Sequence, residues 1–368
     1  MGRRRDALAA AMEAHEVDHV VLYGANRSGS AVAWLTRWPV TREALAVVTP
    51  GERDLLLVNF YNHVPNAQRL ATDCDVRWAG GKPMATAVDE LRRRGASGAA
   101  VGVIGPLGYR AHGALSEFAG RIVSLDAAYT EMRLRKSEEE IDWIRVGAGL
   151  TDAALAALRD DAAVGVDEHE LGNIVERAYV GQGGTTHIHY FGVTPMGAPA
   201  MSVPAQWPAG RALQRGDALT CELSASFWDY TGQVLRTFAV GDEPTPLFRE
   251  LHSVADAAFD ALFERLRPGS TAAELVEASS VIEEAGFTIR DDLVHGFVGG
   301  YLPPVLGSTS RALEQVPEFV FEEGMTVVVQ PNVVTLDEGA GVQTGELVRV
   351  TRDGAERMHD CERGLIRL

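Results

Sequence analysis

The chain has 368 residues, 46% hydrophobic and 23% charged, with 34 Lys and Arg against 51 Asp and Glu and a net charge of -17. Such a composition suits a soluble protein with a large core and more than one domain. An acidic surface repels phosphate backbones and anionic lipid, so neither nucleic acid nor a membrane is an expected partner.

The N-terminal stretch Asp6–His15 is helical by composition. It has no apolar run like that of a signal peptide, so a cytoplasmic location is expected. Strand patterns follow at Val17–Tyr23, Leu45–Val48, Asp54–Val58 and Ala100–Ile104, alternating with helical segments in an α/β unit. The spacing His15-Glu16-Val17-Asp18-His19 spells the zinc-protease pattern HExxH. That pattern needs both His on one helix face, and here the helix gives way to a strand within it. Gly181-Gln-Gly-Gly lacks the Lys of a phosphate loop, and no nucleophile elbow is present. Cys74, Cys221 and Cys361 lie far apart, which argues against a disulfide framework and a thiolate metal site.

Ser137 followed by Glu140 is a capping box, and Ile141, Ile144, Ala148 and Leu150 form an apolar stripe behind it. The domain boundary is placed just ahead of this helix, giving domains 1–132 and 133–368. The second domain reads as helices at about 137–160 and 167–181, strands at about 186–193 and 217–240, helices at about 245–266 and 271–285, and a strand-rich end.

Arg133-Leu-Arg-Lys-Ser-Glu-Glu-Glu-Ile-Asp-Trp-Ile-Arg opens this second part. Three further segments keep a common order: Gly216-Asp217 through Glu222 to Arg236-Thr237-Phe238, then His295-Gly296, then Gly324–Pro331 followed by Gly345–Thr351. Together they resemble the creatinase / aminopeptidase P family. The resemblance implies an α+β fold of two domains, an N-terminal α/β creatinase-like domain and a C-terminal "pita-bread" catalytic domain. It also implies a homodimer acting on a small molecule, with the loop of Asn59, Tyr61, Asn62 and His63 as a lid over the neighbouring subunit's pocket.

Metallopeptidases of that family hold two divalent ions with two Asp, one His and two Glu. In this chain those positions carry Glu222, Gln233, His295, Gln330 and Gly345. One carboxylate against four positive charges, with weak amide donors, predicts that no metal and no other cofactor is bound. Glu346 cannot substitute for Gly345, because neighbours on a strand face opposite sides. Creatinase is the metal-free member of the family, so the expectation is a metal-independent hydrolase of a C–N bond in a small polar metabolite. A Glu222/His295 pair would supply acid and base, and Gln233 and Gln330 would donate to substrate oxygen. Arg236 would clamp a carboxylate, and Tyr301 would line the pocket. The segment Met201–Pro208 holds no His where creatinase has its catalytic one, so creatine itself is not the expected substrate. His187 and His189, two apart on a strand, are expected to share one face and join the catalytic set. The alternatives are an Xaa-Pro metallopeptidase, a binding module without catalysis, and a lyase or isomerase using the same dyad.

Overall fold

The computed structural model describes residues 2–26, 31–311 and 315–368. The chain divides into two compact units, Met1–Arg133 and Leu134–Leu368.

The first unit is built on a six-stranded mixed sheet. Its strands run in the order Cys74–Trp78, Asp54–Val58, Glu43–Val48, His19–Ala25, Ala100–Ile104, Arg121–Ser124. Alternate residues of the central strands enter different cores, so the sheet is covered on both faces. Val20 and Leu22 pack with Leu8 and Met12 of the first helix, whereas Val21 packs with Met84, Ala87 and Leu91 of helix Pro83–Arg93. The HExxH spacing breaks as expected: the helix ends at Ala14, Glu16 takes a left-handed φ of 52°, and His19 opens a strand.

The second unit is built on a ten-stranded sheet that is antiparallel except where Ile366–Arg367 pairs in parallel with Val234–Ala239. Its main path is Tyr301–Leu306, Val294–Phe297, Thr326–Val329, Gly345–Thr351, Val234–Ala239, Asp217–Phe227, Thr185–Pro195. The long central strand Asp217–Phe227 explains how a sheet buried on both faces can still carry polar chemistry. Leu219, Cys221, Leu223 and Ala225 point one way, into the core under helices Glu138–Asp161 and Glu168–Tyr179. Thr220, Glu222, Ser224 and Ser226, the intervening residues, face the other way and are buried too. Helix Glu138–Asp161 begins at Ser137, whose hydroxyl and Glu140 cap each other reciprocally. Helices Pro246–Arg265 and Ala272–Ala278 pack their apolar residues against a second core that includes Val294, Val327 and Val329. No helix among the described residues is long and apolar enough to cross a membrane.

A candidate active site across five strands

The polar face of that sheet gathers the five positions singled out in the sequence. Antiparallel pairing sets Leu235 opposite both Glu222 and Gly345. Glu222, Gln233 (two residues before Leu235) and Gly345 therefore share one face. Gln330 follows the neighbouring strand Thr326–Val329, and His295 lies on the strand beyond it.

The side chains form two amide–carboxyl pairs. Gln233 Nε2 donates to Glu222 Oε1 at 2.5 Å, and Gln330 Nε2 donates to Asp292 Oδ1 at 2.8 Å. His295 is fully buried, with Nδ1 3.2 Å from the Gly296 carbonyl and its ring stacked on Tyr301 at a centroid distance of 3.9 Å. Tyr301 keeps 54% of its surface open, and its hydroxyl interacts with Asp292. Gln233 Oε1, Gln330 Oε1 and His295 Nε2 are buried with no partner within hydrogen-bond distance, although the Gln330 side chain lies close enough to His295 to favour its protonated form against the effect of burial. All three are acceptors when His295 carries its proton on Nδ1, so the cavity calls for a ligand rich in donors. The expectation that the glutamines would donate to a substrate oxygen is corrected. Their amide nitrogens are turned to carboxyls, and their carbonyl oxygens are the unpartnered atoms.

Burial dominates the electrostatics. Glu222 is pushed up to about 8 by burial and by the neighbouring Asp291 and Asp292, against the opposing bond from Gln233. Asp292 is pushed up to about 7 by burial and by Asp291, and burial raises Asp291 as well. Burial lowers His295 to about 4, so its imidazole is neutral at physiological pH. The groups poised for proton transfer near neutrality are thus Glu222 and Asp292 rather than His295.

Asp291 and Asp292 were missed in the sequence. They sit in the bend between strands Thr288–Ile289 and Val294–Phe297, in Arg290-Asp291-Asp292-Leu293. A pair of acids at a turn reads as solvated. The available signal was their place three and four residues ahead of His295, followed directly by apolar Leu293 and Val294.

Other expectations change. Arg236 is 1% exposed and has no donor left for a substrate. Its guanidinium bonds the carbonyls of Glu362, Leu235 and Gly345, the Glu346 carboxylate at 2.6 Å and Cys361 Sγ. It braces strands instead of clamping a ligand. His187 and His189 do not share a target, because the pairing register slips between Thr186 and Ile188 and His187 occupies a β-bulge. His189 turns to Tyr179, whose hydroxyl lies 2.6 Å from Nε2, and burial lowers it to about 4. His187 lies edge-on to Phe297, which also meets the ring of His295. Glu346 is on the far face as expected, held by Arg236 and Arg357.

These residues do not fit a pair of divalent ions. Gly345 offers no donor, and a Cβ there would lie 2.5 Å from the Val329 carbonyl and 2.7 Å from Gln330 Cα. The neighbouring strand fills the space a ligand would need. Among the described residues, no three His, Cys, Asp or Glu side chains at this site bring their ligand atoms within 4.8 Å of one another. The expectation of a single anionic side chain is corrected, because the cavity holds three carboxyl groups, those of Glu222, Asp291 and Asp292.

Residues 142–352, more than half of the chain, match the family described as metallopeptidase family M24. The Xaa-Pro dipeptidase of Pyrococcus furiosus is 27% identical over 243 residues, covering 66% of this chain and 68% of the relative. That of Pyrococcus horikoshii is 27% identical over 245 residues, covering 66% and 67%. Among solved structures, the prolidase of Pyrococcus furiosus superposes with a TM-score of 0.79 at 22% identity, over 96% of this chain and 99% of its own. The Xaa-Pro dipeptidase of Bacillus anthracis gives 0.82 at 20% identity, over 99% and 98%. The two-domain pita-bread fold is thereby established, and the chain is a hydrolase by kinship. The reading as a metal-independent, creatinase-like hydrolase is overturned, because these relatives are Xaa-Pro dipeptidases of a metallopeptidase family. The chain belongs to metallopeptidase family M24.

Proposed function

We propose that this protein hydrolyses the peptide bond of a small substrate of the Xaa-Pro dipeptide class. The observation that carries the reading is the buried cluster of Glu222, Asp292 and His295, lined by acceptor atoms, on the polar face of the sheet in a chain of peptidase family M24. A dipeptide's free ammonium supplies the donors that Gln233 Oε1, Gln330 Oε1 and His295 Nε2 lack, and it balances the carboxyl charge.

The chain's own residues account for the proton movements. Ionised Asp292, held by Gln330 and the Tyr301 hydroxyl, takes a proton from the attacking water as its oxygen bonds to the carbonyl carbon. Protonated Glu222 delivers its proton to the leaving nitrogen as the C–N bond breaks, yielding an acid and an amine. Burial sets both groups within about a unit of neutral pH, where acid and base work are balanced. No step is assigned to a metal, since the ligand positions do not form a two-ion set. The remaining parts of the proposal are a homodimer located in the cytoplasm and acting on a small molecule, to be checked by light scattering and by cell fractionation.

The test is release of free proline from a panel of Xaa-Pro dipeptides, with Xaa-Ala dipeptides as controls. It is run after chelator treatment and again with added Mn²⁺, Co²⁺ or Zn²⁺. Proline release in either arm, abolished in Asp292→Ala, is the expected result. No cleavage of any dipeptide in either arm by folded protein would overturn the proposal.

A further inference from the structure

Behind the site lies a second cluster that the proposed chemistry does not use. His359 is 2% exposed, and both of its ring nitrogens are engaged. Nδ1 lies 2.7 Å from Asp152 Oδ1 on helix Glu138–Asp161, and Nε2 accepts the Gln233 backbone N–H at 3.2 Å. The other carboxylate oxygen of Asp152 accepts the Asp360 N–H at 2.8 Å. These partners fix the tautomer. Only a neutral imidazole with its proton on Nδ1 can donate to Asp152 and accept from Gln233 together.

The backbone next to Gln233 is held just as closely. A Cβ on Gly232 would lie 2.5 Å from Ala148 Cα and 2.8 Å from both His359 Cε1 and Thr151 Oγ1. The Gln233 carbonyl accepts the Leu347 N–H at 2.9 Å. Gln233 is therefore clamped on both sides of its main chain, and its side chain reaches Glu222 from that clamp.

We propose that His359, oriented by Asp152, is a positioning residue of the active site that fixes Gln233 and, through it, the carboxyl of Glu222. The consequence for catalysis rests on the peptidase reading, whereas the clamp itself does not. Asp152, His359 and Cys361 also place one ligand atom each within 4.8 Å of one another, as a metal site would. The hydrogen bonds argue for the clamp. Both imidazole nitrogens are occupied, burial pushes the Cys361 thiol up to about 12, and Arg236 Nη2 sits 3.2 Å from its sulfur.

Asp152→Asn is the discriminating variant. An amide can satisfy the Asp360 N–H only by turning its NH₂ to Nδ1, which moves the imidazole proton to Nε2 and sets it against the Gln233 N–H. In the full-length protein, amide hydrogen exchange at Gln233 should accelerate about tenfold or more. The ¹⁵N shifts of the His359 ring should report the exchanged tautomer. His359→Phe should reproduce the faster exchange, and His359→Gln, which restores an acceptor, should recover most of the protection. With a cleaved dipeptide in hand, kcat should fall about tenfold in Asp152→Asn with KM little changed. The exchange measurement needs no substrate, so failure of the peptidase reading leaves it standing. Unaltered Gln233 exchange in both Asp152→Asn and His359→Phe, or stoichiometric zinc bound by the wild type and lost in His359→Phe, would overturn the proposal.

Discussion

The sharpest consequence of a buried acid cluster is a stability that falls as pH rises. Glu222 has an ordinary value of 4.5 and stands at about 8 in the fold, because burial and the neighbouring Asp291 and Asp292 penalise its anion. Between those values the unfolded chain has released a proton that the folded chain retains. The stabilisation is thus fully present below pH 4.5 and is lost as pH rises through 8. Each pH unit in that window costs about 1.4 kcal/mol per group, so Glu222 alone accounts for on the order of 5 kcal/mol by pH 9. Asp292, raised from 3.8 to about 7, adds a second slope of the same sign over a lower window. In Glu222→Gln an uncharged group of the same shape takes its place and can still accept from Gln233. The urea midpoint, measured from pH 5 to pH 9 at constant m-value, should fall steeply in the wild type and markedly less in the variant. Parallel curves for the two proteins would refute the claim that Glu222 is held protonated.

Asp292→Asn should lower kcat for a cleaved dipeptide by about 10²–10⁴-fold. The wild-type kcat/KM profile should be bell-shaped, with limbs near pH 7 and 8 that belong to the coupled pair. Gly345→Ala should destabilise by about 1–3 kcal/mol, because its Cβ meets backbone and Gln330 atoms within 3 Å. Gly149→Ala, on an open helix surface, should instead be neutral or stabilising by up to ~1 kcal/mol in the same unfolding assay. Glu346→Ala leaves the Arg236 guanidinium buried and without its carboxylate, which should cost about 3–5 kcal/mol and show as a lowered Tm. Gln330→Glu replaces a donor 2.8 Å from Asp292 with a second carboxyl, so its Tm deficit should be larger at pH 8 than at pH 5.

The elements that local patterns specify were legible. The capping box at Ser137 starts a helix, and the apolar–polar alternation from Leu219 to Ser226 makes a strand with two different faces. Edge strands such as Arg121–Ser124 were not, since their partly exposed residues lack a strong period. In the site, Glu222, Gln233, His295 and Gln330 were found through their order along the chain, and sheet pairing brings them to one face. Features decided by long-range contacts stayed hidden. Arg236 finds Glu346 110 positions away, and His187 is displaced by a bulge that depends on register with another strand. Asp291 and Asp292 resisted for a different reason. Acidic pairs at turns are normally solvated, and only the fold reveals that this turn points inward.

That hidden pair alters how the departures from the family's ligand set fit together. Taken one at a time, Gln330 and Gly345 are lost carboxylates. In the fold they form one packing arrangement: the missing side chain at 345 admits the Cβ of Gln330, and the Gln330 amide reaches Asp292. Gln233 does the same for Glu222, from a main chain clamped by His359. Each carboxyl therefore has a neutral donor where a metal-binding cavity would set another anion, and each rises toward neutral pH because burial outweighs that single bond. Restoring one family ligand at a time would break a pair without completing a centre. The cluster is therefore expected to gain or lose function as a unit, as interacting groups that share a desolvated site do.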